Sequence, residues 1–446
     1  MAGHLAPRLN VVGGWLFVAL WLLVVVDLGL QVPALRRFAE VVLALLILLA
    51  MLKASPHIRL LATILLSGTV VLMWRAADGG VIQRGLGATL AVGAFLPVVA
   101  LVRAAVYASP TVPAIRERLG TMSDAERRTW MTGGAHLLGS ILTLGYVSVQ
   151  RPMLPNEIDE AERISLAECG VRGLGMAIVW SPFFVASAVA GQLVRGVAAW
   201  QIVSVGLALA VIGGVIAHLM FNRGLDLRSF GRAVARLEPI VLPTVLLVGA
   251  VVVTSGVMGW NVLQSVIVVV PACCAAYLFA FARDHVRRIV PDVANSAGRM
   301  GDEVLILTAS TVFGVAMAGV AIPDGLADGM RAIGDRAWLV IALSVLSITV
   351  LGIIGLHPMV SASVIVPACI ALRLPIADIV LSHIVVLGWA LSSMVAAWTL
   401  PVVVTSAAFD VPVRRLVFGP NIHFVYVFGA AAVTALSALN AALAWG

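Results

Sequence analysis

The sequence predicts an all-α polytopic membrane protein, and three observations lead to that prediction. First, 61% of the 446 residues are hydrophobic and only 11% are charged, whereas soluble domains contain about 25% charged residues. Second, the apolar residues form continuous runs of roughly 20 residues, the length that a helix needs to cross the hydrocarbon core. Third, the runs do not alternate polar and apolar residues, which excludes a β-barrel. About 11–12 transmembrane helices are expected on these grounds.

The apolar runs can be followed along the chain in order. The first run is expected to be a retained span, because it is too long for a signal-peptide core and no small-residue cleavage site follows it. A stretch at 129–150 is also apolar, but Gly and polar residues interrupt it. The predicted spans are 12–30, 36–52, 58–74, 86–106, 170–192, 199–221, 238–258, 262–282, 303–322, 337–355, 377–409 and 419–444.

The basic residues predict an orientation rather than a nucleic-acid partner. The net charge is +7, but Lys53 is the only lysine, and the arginines stand mainly in short segments between spans. Such segments face the cytoplasm in membrane proteins. We therefore expect a multi-pass protein of a bacterial inner membrane with a cytoplasmic N-terminus. The four cysteines have no metal-ligand spacing, so no metal site or other cofactor is expected.

Two segments of the chain resemble each other. Gly134-Ala135-His136-Leu137-Leu138-Gly139-Ser140 and Gly355-Leu356-His357-Pro358-Met359-Val360-Ser361 both have Gly two residues before a His and Ser four residues after it. Trp180-Ser181-Pro182 follows the first segment and Trp398-Thr399-Leu400-Pro401 follows the second, with His-to-Pro separations of 46 and 44 residues. Chance similarity of helices rich in small residues is the alternative to a true internal repeat.

The repeat predicts two inverted halves, each with a re-entrant hairpin and a broken helix. Secondary transporters often have this design, with the site near the bilayer midplane. Proline breaks a helix by removing a hydrogen bond and clashing with the preceding turn. The expected organisation is as follows: scaffold helices at 1–85, a first repeat at 86–221 (hairpin about 129–153, broken helix about 170–192), linker and scaffold helices at 222–302, and a second repeat at 303–446 (hairpin about 356–372, broken helix about 377–409).

This order of elements resembles the ion transporter superfamily, which includes the divalent anion:sodium symporters and the membrane subunits of tripartite carboxylate transporters. The best match is 303–372, where a helix ending in Gly319 precedes Pro323-Asp324-Gly325-Leu326-Ala327-Asp328-Gly329 and then the segment around His357. The symporters carry Ser-Asn-Thr at each hairpin tip, whereas the tips here contain Ser and Thr without Asn. The resemblance implies a homodimer with a scaffold and a moving, elevator-type transport domain.

Histidines, hydroxyl residues and prolines of the hairpins and broken helices are the candidate binding residues. His136 and His357 are candidates for proton or anion binding, and the alternative is a neutral His that stabilises the local fold. Hydroxyl side chains can bind an anion or complete a sodium shell, although packing between helices explains any one of them equally well. The predicted substrate- and ion-binding residues are His136, Ser140, Thr143, Ser181, Pro182, His357, Ser361, Ser363, Ser392, Ser393, Thr399 and Pro401.

The predicted function is secondary active transport of a small, carboxylate-like organic anion. No Asp or Glu lies in the middle of a predicted hairpin or broken helix, so coupling is expected to use sodium or a proton on His rather than a carboxylate relay. Two alternatives remain open at this point. In the first alternative, the chain is a membrane subunit of a multi-component carrier. In the second, it is a polytopic enzyme that acts on a lipid-linked substrate through the acidic stretch Glu157–Glu162.

Overall fold

The computed structural model describes residues 2–76, 78–108, 123–143, 146–147, 158–222, 227–235, 237–319, 324–334 and 336–444. These residues are almost entirely α-helical and include no strand, which confirms the predicted all-α class. The helices are α1 (Ala2–Leu30), α2 (Pro33–Lys53), α3 (Pro56–Ala76), α4 (Val81–Tyr107), α5 (Asp124–Leu142), α6 (Glu160–Ile178), α7 (Val185–Leu193), α8 (Ala199–Phe221), α9 (Leu227–Ala235), α10 (Glu238–Met258), α11 (Val262–Phe281), α12 (Val286–Ala297), α13 (Gly301–Ala318), α14 (Asp324–Gly334), α15 (Ala337–Ile353), α16 (Pro358–Ala371), α17 (Asp378–Val395), α18 (Leu400–Phe409), α19 (Val413–Phe418) and α20 (Asn421–Ala444).

The described residues contain eight helices that are long and apolar enough to cross a membrane. The number rises to nine if α12 and α13, which are bent by 58° at their junction, form one span. The chain is therefore a polytopic membrane protein, with fewer full-length spans than the predicted 11–12. The difference has a physical origin, since α2 has three charged residues in its first two turns and α15 is only 17 residues long.

The chain folds into two compact units that do not follow the expected domain boundaries. Unit 1 comprises 1–108, 258–332 and 359–374, and unit 2 comprises 109–257, 333–358 and 375–446. Helix α4, expected to open the first repeat, packs instead with α1, α2, α11, α12 and α13 in unit 1. Hydropathy locates apolar runs but does not determine which of them pack together, so this division was not accessible from the sequence.

Unit 1 contains a proline break that a side chain of another helix repairs. Pro271 lies inside α11, and a proline cannot donate a hydrogen bond to the carbonyl four residues earlier, here that of Ile267. The Trp21 indole of α1 donates to this carbonyl at 2.8 Å. An unpaired carbonyl is costly in lipid, so this contact both satisfies the break and fixes α1 against α11.

Unit 2 contains the same set of four helical elements twice. The first set is α5, α6, α7 and α8, with 19, 19, 9 and 23 residues. The second set is α15, α17, α18 and α20, with 17, 18, 10 and 24 residues. In each set the second and third elements are two limbs of one broken helix, interrupted at 179–184 and at 396–399.

The two broken helices pack on each other reciprocally. The limb after the first break, α7, packs on α17, and the limb after the second break, α18, packs on α6. The remaining contacts repeat in the same way, because α5 packs on α6 as α15 packs on α17, and α8 packs on α20. A Cβ at Gly175 of α6 would lie 2.4 Å from the Met394 sulfur of α17, which shows how closely the two first limbs approach.

The prediction of a hairpin at about 356–372 is wrong. This segment is one continuous helix, α16, that begins at Pro358 and ends at Ala371. Pro358 occupies the first helical position, where a missing N–H is tolerated, so this proline starts a helix instead of turning the chain. Of the hairpin predicted at about 129–153, the first part is α5, while 144–145 and 148–153 lie outside the described residues.

Candidate functional site

The first break ties α6 to α5 through a Trp and a Ser. Trp180 donates from its indole Nε1 to Nε2 of His136 over 3.1 Å. Ser181 donates from its hydroxyl to the backbone carbonyl of Ser140 and accepts from the backbone N–H of Phe183. His136, Ser140 and Ser181, which were predicted for the first half of the site, therefore lie close together around the first break. Ser140 and Ser181 are fully buried.

The contact with Trp180 determines the tautomer of His136. An indole nitrogen is only a donor, so Nε2 of the imidazole must be the acceptor. A neutral His136 that accepts at Nε2 carries its proton on Nδ1. Protonation of His136 at Nε2 would break this bond, so the geometry fits the neutral, fold-stabilising role better than a proton-carrying role.

The second break is built in the same way with different acceptors. Trp398 donates from Nε1 to the backbone carbonyl of Gly352 over 2.8 Å. The Thr399 hydroxyl lies 2.8 Å from the Ala396 carbonyl and 3.1 Å from the Ser393 carbonyl, at the C-terminal end of α17. The orphan carbonyls that any helix end leaves are thus partly satisfied within the break. Pro401 follows as the second residue of α18.

His357 packs on two tryptophans of the second half. Its ring lies edge-on to Trp389, with 5.0 Å between ring centroids, and is tilted against Trp398 at 6.4 Å. In both halves the predicted His therefore contacts the Trp that follows it by just over 40 residues.

The remaining predicted residues lie in four places. Ser392 and Ser393 are buried near the end of α17, and a Cβ at Gly352 would lie only 2.6 Å from the Ser392 Cβ. Ser361 and Ser363 are buried in α16 and belong to unit 1. Thr143 is the C-cap of α5 and has a φ of 52°, a conformation that a β-branched residue rarely adopts. The backbone therefore leaves the helical path at Thr143. Pro182 lies within the first break.

A buried charged cluster in α6 escaped the sequence analysis. Glu168 and Arg172 are 4% and 2% exposed, and Arg172 donates to the Asn421 side chain at the start of α20 over 2.7 Å. The expectation that no carboxylate lies in a broken helix is wrong, because α6 begins at Glu160 instead of 170. The signal was present in the sequence as two charges four residues apart in an otherwise apolar run of small residues.

The acidic stretch before α6 has a structural role in its described part. Asp159 is the N-cap of α6 and accepts from the Glu162 backbone N–H over 2.6 Å. Acidic residues at a helix N-terminus complement the helix dipole. Glu157 lies outside the described residues.

Other parts of the described chain offer less for a polar ligand. A cavity of about 290 Å³ in unit 1 lies among α1, α4, α11 and α12, and its lining, which includes Pro97 and Pro271, is apolar and contains no predicted site residue. Within the described residues, no group of three His, Cys, Asp or Glu side chains is arranged to hold a metal ion.

A scan of the sequence against models of protein families finds no match, and a search among curated proteins finds no matching relative.

Proposed function

We propose that the protein is an ion-coupled secondary transporter of a small organic anion of the carboxylate type, located in a bacterial inner membrane with its N-terminus in the cytoplasm. One observation carries the proposal: the two broken helices pack on each other reciprocally, limb on limb. Interrupted helices are costly in lipid unless the break serves a site. Transporters use such pairs to bind a solute near the midplane.

The polar groups at the breaks support a solute of this class. Ser181, Thr399, Ser392 and Ser393 supply buried hydroxyls close to the two interruptions. Hydroxyls and backbone groups at helix breaks are suited to carboxylate oxygens and to sodium. The coupling ion in this proposal is Na+ or H+, and the mechanism is elevator-type in a homodimer.

Transport is tested with the full-length protein in proteoliposomes. Uptake of radiolabelled acetate, lactate, succinate and citrate is measured under an inward Na+ gradient, an inward proton gradient, or neither. The proposal predicts accumulation of at least one anion that depends on one gradient and disappears when an ionophore collapses it. Protein-free liposomes provide the control.

The same assay distinguishes the other functions that the sequence left open. Uptake that requires addition of a separate soluble binding protein would identify a subunit of a multi-component carrier. The absence of gradient-dependent uptake across the whole panel contradicts the proposal.

A further inference from the structure

The charged cluster of α6 is costly to bury, which makes its composition informative. Arg172 is the only arginine or lysine that is buried among the described residues, and Glu168 lies one helical turn before it. Taking an ion pair out of water costs several kcal/mol per ion unless hydrogen bonds satisfy both partners. Ionisable residues inside a membrane domain therefore usually mark a functional site.

The contacts of the Arg172 guanidinium occupy only part of its hydrogen-bonding surface. Nη1 donates to the Asn421 side-chain oxygen over 2.7 Å and lies 3.7 Å from a Glu168 carboxylate oxygen. Nη2 reaches only the Cys169 sulfur, at 3.2 Å. The Phe221 ring covers one face, with its centroid 4.0 Å from Cζ. The guanidinium is thus held in place by α6, α8 and α20, all in unit 2.

The edge of the Arg172 guanidinium formed by Nε and Nη2 has no oxygen acceptor among the described residues. Within the described part of the chain, Nε of Arg172, Nδ2 of Asn421 and Oε1 of Glu168 are buried and have no hydrogen-bond partner. A buried donor without an acceptor is destabilising. The Nε and Nη2 groups together form the fork that binds a carboxylate through two parallel hydrogen bonds.

We propose that Arg172 binds the carboxylate group of the transported anion through its Nε–Nη2 edge, with Nδ2 of Asn421 as an additional donor. The proposal rests on the proposed transport function and adds the residue that recognises the charge of the solute. Glu168 balances the charge of Arg172 when no anion is bound.

The start of α20 favours an anion at this place in spite of Glu168. Asn421 is the first residue of a 24-residue helix, and the N-terminus of a helix carries a partial positive charge of about +0.5. Arg172 and this helix end together exceed the single negative charge of Glu168. The cluster therefore keeps a positive excess of about +0.5, which attracts a further carboxylate and offsets about half of its charge.

Two substitutions test the proposal while keeping a polar cluster. Arg172→Lys retains the positive charge but removes the two-pronged edge, and Asn421→Asp keeps the contact to Arg172 but removes the Nδ2 donor. Each is expected to raise the KM of anion uptake at least tenfold. Arg414→Lys, at an exposed position of the same unit, is the matched control and should leave the KM unchanged. Size-exclusion profiles and thermal unfolding establish that each variant is folded.

A direct binding measurement separates this proposal from the transport function. The purified protein is reconstituted in nanodiscs of uncharged phosphatidylcholine, and thermal unfolding is followed with sodium propionate or with sodium chloride at equal ionic strength. Propionate should stabilise the wild type and not Arg172→Lys.

The outcomes are distinct. If the wild type transports carboxylates and both variants retain its KM, the assignment of Arg172 is overturned while the proposed function survives. If uptake is absent but propionate stabilises only the wild type, the binding site survives and the transport function fails. If neither uptake nor stabilisation is seen, both fail.

Discussion

The two broken helices of unit 2 share a scaffold but differ in chemistry. In both, an indole N–H from the break anchors the preceding helix of the set: Trp180 donates to the His136 ring and Trp398 to the Gly352 carbonyl. The first limb of the first half carries the buried Glu168 and Arg172. At the same distances before the second tryptophan, the chain has Val386 and Ala390.

This difference separates architecture from recognition. The Trp donors occur in both halves and are explained by the need to fix and satisfy an interrupted backbone. The charge pair occurs in one half only, and a hydrophobic pair would cost less at the same place. We therefore assign the Trp donors to the fold, and we assign the charge pair to recognition of the charge of a solute that the hydroxyls at the breaks also bind.

The largest expected effect is at the glycine that lets α8 approach the first break. A Cβ at Gly206 would lie 2.4 Å from the Val179 carbonyl and 2.6 Å from the Trp180 Cα. Gly206→Ala should destabilise the protein by about 2–3 kcal/mol, since backbone cannot yield as a side chain does. Thermal or denaturant unfolding in detergent measures the change.

Two matched alanine variants sharpen the comparison. Gly429, near the same position of α20, faces only the flexible Leu391 side chain, with a Cβ contact of 3.1 Å, so Gly429→Ala should cost less than 1 kcal/mol. Gly214 of α8 has open space around it, and Gly214→Ala should be neutral or stabilising. Equal changes in the free energy of unfolding for Gly206→Ala and Gly214→Ala would contradict the tight packing at the first break.

The next effect concerns the two indole donors. Trp180→Phe leaves Nε2 of His136 without its donor, which costs about 1–3 kcal/mol. Trp398→Phe should cost less, because the Gly355 backbone N–H still donates to the Gly352 carbonyl over 3.3 Å. A double-mutant cycle with His136→Leu should show a coupling of about 1 kcal/mol to Trp180. Additive effects of His136→Leu and Trp180→Phe would show that this hydrogen bond does not hold the break.

A smaller effect is expected where the first half contacts the second. The Tyr146 hydroxyl lies 3.0 Å from the Thr405 hydroxyl of α18, and both are fully buried. Removing both partners is less costly than removing one, because no polar group is left unsatisfied. Tyr146→Phe and Thr405→Val should each cost about 1 kcal/mol, and the double variant should cost less than their sum.

The smallest expected effect comes from a side-chain cap at the start of α5, which the start of α15 lacks. Ser123 and Glu126 form a reciprocal cap at the start of α5, whereas the N-cap of α15, Arg336, makes no side-chain cap. The hydrogen bond from the Ser123 backbone N–H lowers the pKa of the Glu126 carboxyl, and Arg232 adds to this. The ionised Glu126 carboxylate therefore stabilises the fold fully above the ordinary pKa of Glu. This contribution is lost as the pH falls through the lowered pKa of Glu126.

Glu126→Gln tests this cap through its pH dependence. The variant should lose about 0.5–1 kcal/mol at pH 7, and the difference from the wild type should shrink below about pH 4. Unfolding curves at both pH values provide the measurement. A difference that stays constant with pH would show that the ionised carboxylate does not contribute.

Proline and hydropathy were good guides to local structure in this chain. Pro182 and Pro401 marked both broken helices, because a proline removes a backbone donor wherever the chain folds. By contrast, Glu168 was missed because charged residues shorten an apolar run, so the predicted span began two residues after it.

Tertiary structure accounts for the other differences. The segment at about 356–372 was predicted as a hairpin, but a proline such as Pro358 is also favourable as the first residue of a helix, and the sequence does not distinguish a hairpin from a single helix there. The division into two units depends on which helix faces fit together. Gly85, for example, lets α4 pack against Val312 of α13, which no local pattern indicates.

The central claim is that the two breaks bind one transported solute, and uptake by hydroxyl variants tests it most directly. Ser181→Ala and Thr399→Val alter the breaks, while Ser204→Ala and Thr434→Val remove exposed hydroxyls from α8 and α20. Each break variant should lower the gradient-driven uptake rate at least tenfold in folded protein, while both controls should transport like the wild type. Wild-type uptake by both break variants would contradict it.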